Sequence, residues 1–382
     1  MALQREPAGW RALTTATKLT CHDVLVVGGG PAGLATAIEL VSSGLDVVVA
    51  EAHAVPAERY GETLAPGSLA RLGRLGLAEA FLVDGHLPCP GTVARWGRDR
   101  PGHNDFLLDP MGPSWHLDRA RFEATLCTCA QERGAMVLTS TRCVSVERAA
   151  DRWSARLRGP AGIRTVCVRW LVDSSGPAAT FSRRLGTRRT VVDRVVALVR
   201  IDGLLAGTLS AQTFVESTPD GWWYVARLPG ERLVTVFVTD PLNARVLTAH
   251  AWDGWRRALA ATQLFAERLA GLELKARPDT ARYRVRSIRV SRLQRVVGER
   301  WLAVGDAAAE LDPVAGRGIH DALGDATEAA HAVIAGHAGS VRYEARIQSR
   351  FHDHLVERAA GYGLEHRWPA ARFWRDRHGV AS

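Results

Sequence analysis

Near the start of the chain, the apolar residues follow first a strand pattern and then a helical one. Residues 23–27 form a short β-branched run, and an apolar pattern of helical period continues through Leu40 and Val41. A second β-branched run occupies residues 47–50 and ends at Glu51. The order of strand, helix and strand predicts a βαβ unit.

The rest of the chain divides into helical and strand-like segments. Helices are predicted at residues 68–81, 119–130 and 247–271, from residue 319 to about 335, and again from about residue 340 onward. Strands are predicted at residues 135–172, 191–240, 283–290 and 301–304. Residues 86–118 are rich in Gly, Pro and Trp, which predicts loops with short strands.

Glycines stand at the turn of the βαβ unit with the spacing of a dinucleotide-binding motif. Gly28, Gly30 and Gly33 form G-x-G-x-x-G, with Pro31 and Ala32 between the last two. The first glycine permits a tight turn, the second allows the backbone to approach a pyrophosphate, and the third allows close packing of helix and strand. Glu51 follows at the distance at which such sites place a ribose-binding acid, so the spacing predicts a dinucleotide site.

Composition excludes several classes of protein. With 382 residues, 47% of them hydrophobic, the chain can bury a large core. Its net charge of +9 comes almost wholly from arginine, since Lys18 and Lys275 are the only lysines, and the arginines are scattered. This favours a solvated surface over a nucleic-acid site. The six cysteines form no C-x-x-C pair and no zinc spacing, and there is no apolar segment long enough for a signal peptide or a membrane span. We expect a cytoplasmic protein with reduced cysteines and no metal.

Three separated motifs together resemble a known family. They are the G-x-G-x-x-G turn, Asp173 with Gly176 after a central strand, and Gly305-Asp306 followed by Asp312-Pro313. This set resembles the FAD-dependent hydroxylases of the para-hydroxybenzoate hydroxylase type. Within that superfamily the chain is similar to the flavin-dependent halogenase-like branch, on the residues of 61–66, 221–229 and 367–374. The resemblance implies FAD as the cofactor.

The resemblance also implies an architecture. We expect an α/β fold with a glutathione-reductase-like, Rossmann-type FAD-binding domain, an inserted antiparallel β-sheet substrate domain and C-terminal helices. The FAD-binding domain is expected at residues 21–85, 115–185 and 283–335, and the substrate domain at 86–114 and 186–282. Residues 1–20 are expected to be a leader, and residues 336–382 a C-terminal helical segment.

Further cofactor contacts are implied residue by residue. Asp306 would accept a hydrogen bond from a ribityl or ribose hydroxyl, although it could instead cap a helix. Arg119 resembles the arginine that reaches the phosphates, with Arg121 as its rival, and Val144 resembles the residue that meets the adenine. The remaining implied contacts are Arg59 and Gly61 along the flavin, and Pro313, Gly316, Gly318 and Ile319 at its pyrimidine edge.

The reaction is suggested by what this sequence lacks. Halogenases of this type are believed to use a lysine a few residues beyond the Gly61-Glu62 position, and residues 63–71 contain none. Arginine stays protonated at any working pH, so it is a poor replacement for that lysine as a nucleophile. We therefore expect a monooxygenase acting on an aromatic group, with indole as one candidate, of a small molecule, peptide or protein, as in the flavoproteins that mature quinone cofactors. The alternatives are a halogenase, a reductase of the geranylgeranyl reductase type and a flavin-holding binding protein.

The catalytic candidates lie in the stretches that carry the resemblance. Glu62, Trp222 and His320 are the candidates for catalysis, and Trp223 and His116 are weaker candidates for the pocket wall. Molecular oxygen would be the second substrate. No second G-x-G-x-x-G motif is present, so we expect no separate nicotinamide domain. Electrons would come either from transiently bound NAD(P)H or from a partner flavin reductase.

Overall fold

The computed structural model describes residues 20–54, 59–106, 108–249, 251–275 and 283–378. Two large β-sheets organise this part of the chain, one of eight strands and one of nine, together with a small sheet of three strands. Helices and strands are both substantial, which confirms the predicted α/β fold class.

The eight-stranded sheet contains the predicted βαβ unit. Its strands are β1 (Thr20–Val27), β2 (Val47–Ala50), β8 (Met136–Leu138), β9 (Arg142–Ala149), β10 (Arg152–Gly159), β11 (Gly162–Asp173), β18 (Val297–Gly298) and β19 (Trp301–Ala303). Strand β1 pairs in parallel with β2 and β11, and β11 pairs in parallel with β19. A central parallel strand is covered on both faces, which is why the residues from Val24 to Val27 are all apolar and all buried.

The nine-stranded sheet is largely antiparallel. Its strands are β5 (Gly91–Arg95), β6 (Gly102–Asp105), β12 (Arg189–Ala206), β13 (Thr213–Thr218), β14 (Gly221–Leu228), β15 (Arg232–Thr239), β16 (Glu273–Lys275), β17 (Arg284–Leu293) and β20 (Ala309–Glu310). The three-stranded sheet consists of β3 (Thr63–Leu64), β4 (Leu87–Cys89) and β7 (Ser114–His116). Alternate residues of β14 enter two different hydrophobic clusters, so both faces of the nine-stranded sheet are covered.

Helices pack against both large sheets. They are α1 (Pro31–Ser42), α2 (Ser68–Arg74), α3 (Ala78–Val83), α4 (Arg119–Glu132), α5 (Pro241–Ala249), α6 (Ala251–Ala260), α7 (Leu264–Leu269), α8 (Gly318–Ala335), α9 (His337–Gly363) and α10 (Arg372–His378). Helix α1 packs on α8 and α4, and α8 also packs on the long helix α9. The N-terminal glycine-turn helix and the helix that follows the third motif are therefore neighbours.

Three expectations from the sequence need correction. The helix predicted at 68–81 is two helices, because Gly76 adopts a positive φ of 67° between them. The helix predicted at 247–271 is divided among α5, α6 and α7. Strands β17 and β20 pair within the nine-stranded sheet, so the expected domain boundary at residue 283 does not coincide with the edge of that sheet.

The structure contains no disulfide among its cysteines. All six cysteines are free, and Cys89, Cys129, Cys143 and Cys167 are buried. Within the described ranges, no helix is both long enough and apolar enough to cross a membrane, and no cluster of side chains has the composition of a metal site. The predicted leader, apart from Thr20 at the start of β1, lies outside the described residues.

Candidate active site

The glycine turn brings three segments into close contact. Gly28 has a φ of 113°, and a Cβ added there would lie 2.7 Å from the carbonyl carbon of Ser174. A Cβ on Gly33 would overlap the carbonyl oxygen of Gly28. Gly30 differs, because its Cβ would meet only the terminal Nη1 of Arg59, at 2.9 Å. The first and third glycines are thus required by packing, whereas the second leaves the start of α1 open to a ligand.

Glu51 is held beside this turn at the end of β2. Its Oε2 accepts a hydrogen bond from the backbone N–H of Gly29 at 2.6 Å, and its Oε1 accepts one from the N–H of His53 at 2.9 Å. Burial acts to raise the pKa of Glu51, but these hydrogen bonds and the charge of Arg59 outweigh it and lower the pKa. The carboxylate is therefore ionised and fixed where the sequence predicts a ribose contact.

Two arginines meet near the same turn. Arg119 Nη1 donates to the carbonyls of Tyr60 and Gly61 at 2.8 Å each, and Nη2 contacts Glu123 at 2.5 Å. Arg59 lies 3.3 Å from the other Glu123 oxygen. Arg121 instead donates to the carbonyl of Asp84. The structure brings Arg59, Gly61 and Arg119 together, and it directs Arg121 elsewhere.

The third motif lies against the first. A Cβ on Gly305 would be 2.8 Å from the Cβ of Ala32, so the Gly305-Asp306 turn touches the first residues of α1. Asp306 is accessible to solvent but is surrounded by protein at longer range, and this burial raises the pKa of its carboxyl despite nearby arginines. Burial and the charge of Asp306 also raise the pKa of Glu310, to about 7. Asp306 is thus an accessible acid beside the start of α1.

The 312–318 loop connects this turn to helix α8. Asp312 accepts a hydrogen bond from the N–H of Val314 at 3.0 Å and caps the short 3-10 turn Pro313–Ala315. Gly316 has a φ of 61°, and a Cβ there would lie 3.8 Å from the Thr63 methyl. Gly318 begins α8, followed by the buried Ile319. The loop therefore lies beside the residues of the Gly61-Glu62 stretch.

Tyr224 closes the opposite side of this region, and sequence reasoning missed it. Its hydroxyl lies 2.9 Å from the Thr63 hydroxyl, and burial and the charge of Glu62 raise the pKa of the phenol. Glu62 is itself 4% exposed, and burial raises the pKa of its carboxyl although Arg119 opposes the effect. The signal for Tyr224 was its place in the 221–229 stretch, two residues from Trp222 on the same strand face.

The two predicted tryptophans point to opposite faces of β14. Trp223 stacks on Phe237 and meets Trp255 edge-on, beneath the helices on the far side of the nine-stranded sheet. The prediction that it lines the pocket is therefore wrong, because successive side chains of a strand alternate between faces. Trp222 is on the same face as Tyr224, but it is 4% exposed and its Nε1 donates to the Tyr362 hydroxyl at 3.2 Å. It is buried in packing and is not open to a substrate.

Both predicted histidines are neutral. The Ser68 hydroxyl donates to the Ala65 carbonyl, so Nδ1 of His320 is the donor to Ser68 at 2.9 Å. Burial and the charge of Arg71 lower the pKa of His320 to about 4. His116 is fully buried with its Nε2 2.9 Å from the Thr213 hydroxyl, and burial lowers its pKa to about 4. His320 lies beside Gly67 at the site, whereas His116 is enclosed between sheets.

Two further predicted contacts have structural partners. The Asp173 carboxylate is fully buried and accepts hydrogen bonds from the backbone and hydroxyls of Ser175 and Ser182, and from the N–H of Phe181. Its side chain therefore fixes the loop after β11. The Val144 carbonyl, in β9, accepts a hydrogen bond from Arg184. Contact of either residue with FAD stays a prediction.

Taken together, the residues fit FAD. The open N-terminus of α1, the ionised Glu51, Arg59 and the accessible Asp306 all belong to segments that meet where the first and third motifs touch, and Arg119 joins Arg59 at Glu123. Such a set of groups suits phosphates and a polyol. A surface cavity of about 430 Å³ lies elsewhere, at the start of α9, and none of the predicted site residues lines it.

Comparison with known proteins agrees with this fit. The family described as FAD binding domain matches residues 21–351, so the chain belongs to that family. LodB of Marinomonas mediterranea, named as an FAD-dependent oxidoreductase, is 28% identical over 94% of this chain and 98% of its own length. The chain is thus an FAD-dependent oxidoreductase, and the predicted cofactor is confirmed.

Two solved structures extend the comparison. The flavin-dependent halogenase CmlS is 26% identical with a TM-score of 0.82, over 95% of this chain and 68% of that one. The peptidyl tryptophan dihydroxylase QhpG, described as essential for tryptophylquinone cofactor biogenesis, is 25% identical with a TM-score of 0.71, over 94% of this chain and 79% of that one. The predicted resemblance to both groups of flavoproteins is confirmed.

Proposed function

We propose that this chain is an FAD-dependent monooxygenase that hydroxylates an aromatic group, with the indole of a peptide- or protein-borne tryptophan as the favoured substrate. One observation carries the proposal. Thr63 lies between the 312–318 loop and Tyr224 of the nine-stranded sheet, next to the buried Glu62, and the following residues 63–71 carry no lysine. The likeness to QhpG supports a peptide substrate.

The residues around the first and third motifs would supply the contacts for the cofactor. The N–H groups at the start of α1 and the guanidinium groups of Arg59 and Arg119 would bind the phosphates, while Glu51 and Asp306 would accept from hydroxyls. When bound and reduced, FAD supplies the activation of oxygen, with one oxygen atom going to the aromatic ring and the other to water. The chain orients the ring and excludes water, and Tyr224 and Thr63 offer hydroxyls for hydrogen bonding.

Halogenation is the second candidate, favoured by the likeness to CmlS. A halogenase of this type would require a lysine a few residues beyond Gly61-Glu62, and residues 63–71 contain none. Lys275 lies on β16, an exposed strand that pairs with β12 within the nine-stranded sheet. Arg71, the basic residue nearest Glu62 along the chain after it, packs its guanidinium onto Gly324 and faces Asp321 and Asp325. Its cation is thus held against helix α8.

The test is a mass-spectrometric product analysis under labelled oxygen. The protein with reduced FAD is incubated with a tryptophan-containing peptide, with the same peptide carrying phenylalanine instead, and with bromide added or withheld. We expect one or two labelled oxygen atoms on the tryptophan peptide only, unaffected by bromide. A brominated product would favour the halogenase, and substrate oxidation without labelled oxygen would favour a dehydrogenase. Supplying NAD(P)H directly or through a flavin reductase identifies the electron source.

A further inference from the structure

A chain of hydrogen bonds joins the nine-stranded sheet to the 312–318 loop through helix α9. Trp222 Nε1 donates to the hydroxyl of Tyr362 at 3.2 Å. The Tyr362 hydroxyl donates to the Asp312 carboxylate, at 3.2 Å from Oδ1. Asp312 Oδ1 in turn accepts the N–H of Val314. The Asp312 carboxylate thus accepts from both sides, from Tyr362 on the side of the sheet and from Val314 within the loop.

One face of α9 contacts Asp312 repeatedly. His354, Arg358 and Tyr362 recur every four residues, so they lie on the same side of the helix. Arg358 Nε donates to Asp312 Oδ2 at 2.9 Å. The backbone N–H of Asp312 donates to Nε2 of His354 at 2.9 Å. Asp312 is 3% exposed, and each of its polar side-chain atoms and its N–H is bound by this face of α9.

The same face of α9 is fixed to the nine-stranded sheet. Arg358 also pairs with Asp193, and Arg377 of α10 lies with its Nε 3.0 Å from the same carboxylate. Asp193 stands at an irregularity of β12, where the register with β17 shifts. Arg358 and Tyr362 therefore bridge the sheet and Asp312, and Arg377 is a second arginine on the Asp193 carboxylate.

The 312–318 loop has few bonds of its own. Inside the loop, the N–H of Val314 donates to the Asp312 carboxylate, and the N–H of Gly316 donates to the Pro313 carbonyl at 3.0 Å. A three-residue 3-10 turn is too short to hold its position alone. Its position relative to the nine-stranded sheet therefore depends on the contacts of Asp312 with His354, Arg358 and Tyr362.

We propose that Tyr362 is a positioning residue, and that the α9 face formed by His354, Arg358 and Tyr362 fixes the 312–318 loop, and with it the pyrimidine edge of FAD, against the nine-stranded sheet. The proposal rests on the predicted contact of this loop with FAD and holds for any reaction at that site. In this proposal Tyr362 has no contact with the reacting atoms or the substrate. It acts through Asp312, and Trp222, predicted as catalytic, is the first member of this chain of bonds.

The test compares Tyr362→Phe with the control Trp374→Phe. Trp374 is as buried as Tyr362 and packs against its ring. The Trp374→Phe change removes one hydrogen bond, from Nε1 to the Thr218 carbonyl at 2.8 Å, but no contact with Asp312. Both variants are measured for melting temperature, for FAD dissociation constant by flavin fluorescence, and for the reduction potential and visible spectrum of bound FAD. Trp222→Phe, which leaves the Tyr362–Asp312 bond intact, is measured in the same way.

We expect similar melting temperatures for the two main variants, with an FAD dissociation constant raised about tenfold only in Tyr362→Phe, as for one lost hydrogen bond to a charged group. The spectrum and potential should change in that variant and, less strongly, in Trp222→Phe. Equal changes in Tyr362→Phe and Trp374→Phe, or no change in bound FAD, would overturn the proposal. A wild-type protein that binds FAD normally but inserts no oxygen would refute the hydroxylase function and leave this comparison intact.

Discussion

The three glycines of the first motif should respond differently to alanine, because only one of them is left open by the packing. Gly30→Ala is the informative change. The residue has φ −83° and ψ −178°, a conformation open to any residue, and the new methyl would meet only the end of the Arg59 side chain. Gly28→Ala is the matched control, since φ there is 113° and the methyl would lie 2.7 Å from the backbone of Ser174.

The expected magnitudes follow from these contacts. Gly30→Ala should change the free energy of unfolding by less than about 1 kcal/mol, because alanine fits and also restricts the unfolded chain. The same methyl would separate the pyrophosphate from the backbone N–H groups. Loss of one or two charge-assisted hydrogen bonds costs about 3 kcal/mol, which weakens FAD binding about 100-fold. Gly28→Ala combines an unfavourable φ with a backbone overlap and should destabilise the apoprotein by about 3 kcal/mol or more.

Two titrations separate the effects. Urea unfolding of the apoproteins, followed by tryptophan fluorescence, reports stability, and quenching of FAD fluorescence reports binding. The reasoning fails if Gly30→Ala binds FAD like the wild type, or if Gly28→Ala is as stable as Gly30→Ala.

Three further predictions concern other parts of the molecule. Glu365 is fully buried, and burial acts to raise the pKa of its carboxyl. Hydrogen bonds from Arg367, Ser217 and Gly97 outweigh burial and lower that pKa to about 2. The ionised carboxylate should therefore stabilise the fold fully above pH 4.5, and this contribution should decline as the pH falls toward 2. In urea unfolding, Glu365→Gln should lower the free energy of unfolding by roughly 3 kcal/mol at pH 7 and by much less at pH 3. The control Glu299→Gln, at an exposed position, should lower it by under about 1 kcal/mol at both pH values. An equal loss for Glu365→Gln at both pH values would contradict this account. In a fluorescence titration, Arg119→Ala should weaken FAD binding at least about tenfold and Arg121→Ala by less than about twofold, because Arg119 contacts the Gly61 carbonyl and Arg121 contacts that of Asp84. The reverse order would mean that Arg121, not Arg119, binds the phosphates. Trp223→Leu should lower the melting temperature without changing the FAD reduction potential, because its ring packs on the far face of the sheet, and a shifted potential would place it at the site after all.

Local patterns were sufficient for the first motif but not for the rest of the site. The glycine turn, β2 and α1 depend on residues within about 30 positions, so spacing and periodicity predicted them nearly to the residue. The break at Gly76 was missed because one glycine in a helical pattern can be tolerated. Helix α8 ended at Ala335 as expected, since the apolar period stops there.

The pocket side depends on contacts between distant segments. Which face of β14 turns toward the site is decided by pairing with β13 and β15, so the sequence could not separate Trp222 from Trp223 or single out Tyr224. Tyr362 and Asp312 are 50 residues apart, and only the packing of α9 brings them together. The motif Asp312-Pro313 was recognised, but its carboxylate was not expected to hold the loop.

The most direct test of the account is hydrogen–deuterium exchange of the apoprotein with and without FAD, because it asks whether the first motif, residues 59–63 and the third motif form one cofactor site. The account predicts that FAD slows exchange at residues 28–34, 59–63, 305–306 and 313–319, and leaves the surface cavity at residues 298–300 and 333–340 unchanged. Protection at that cavity, or protection of the first motif without residues 305–319, would contradict it.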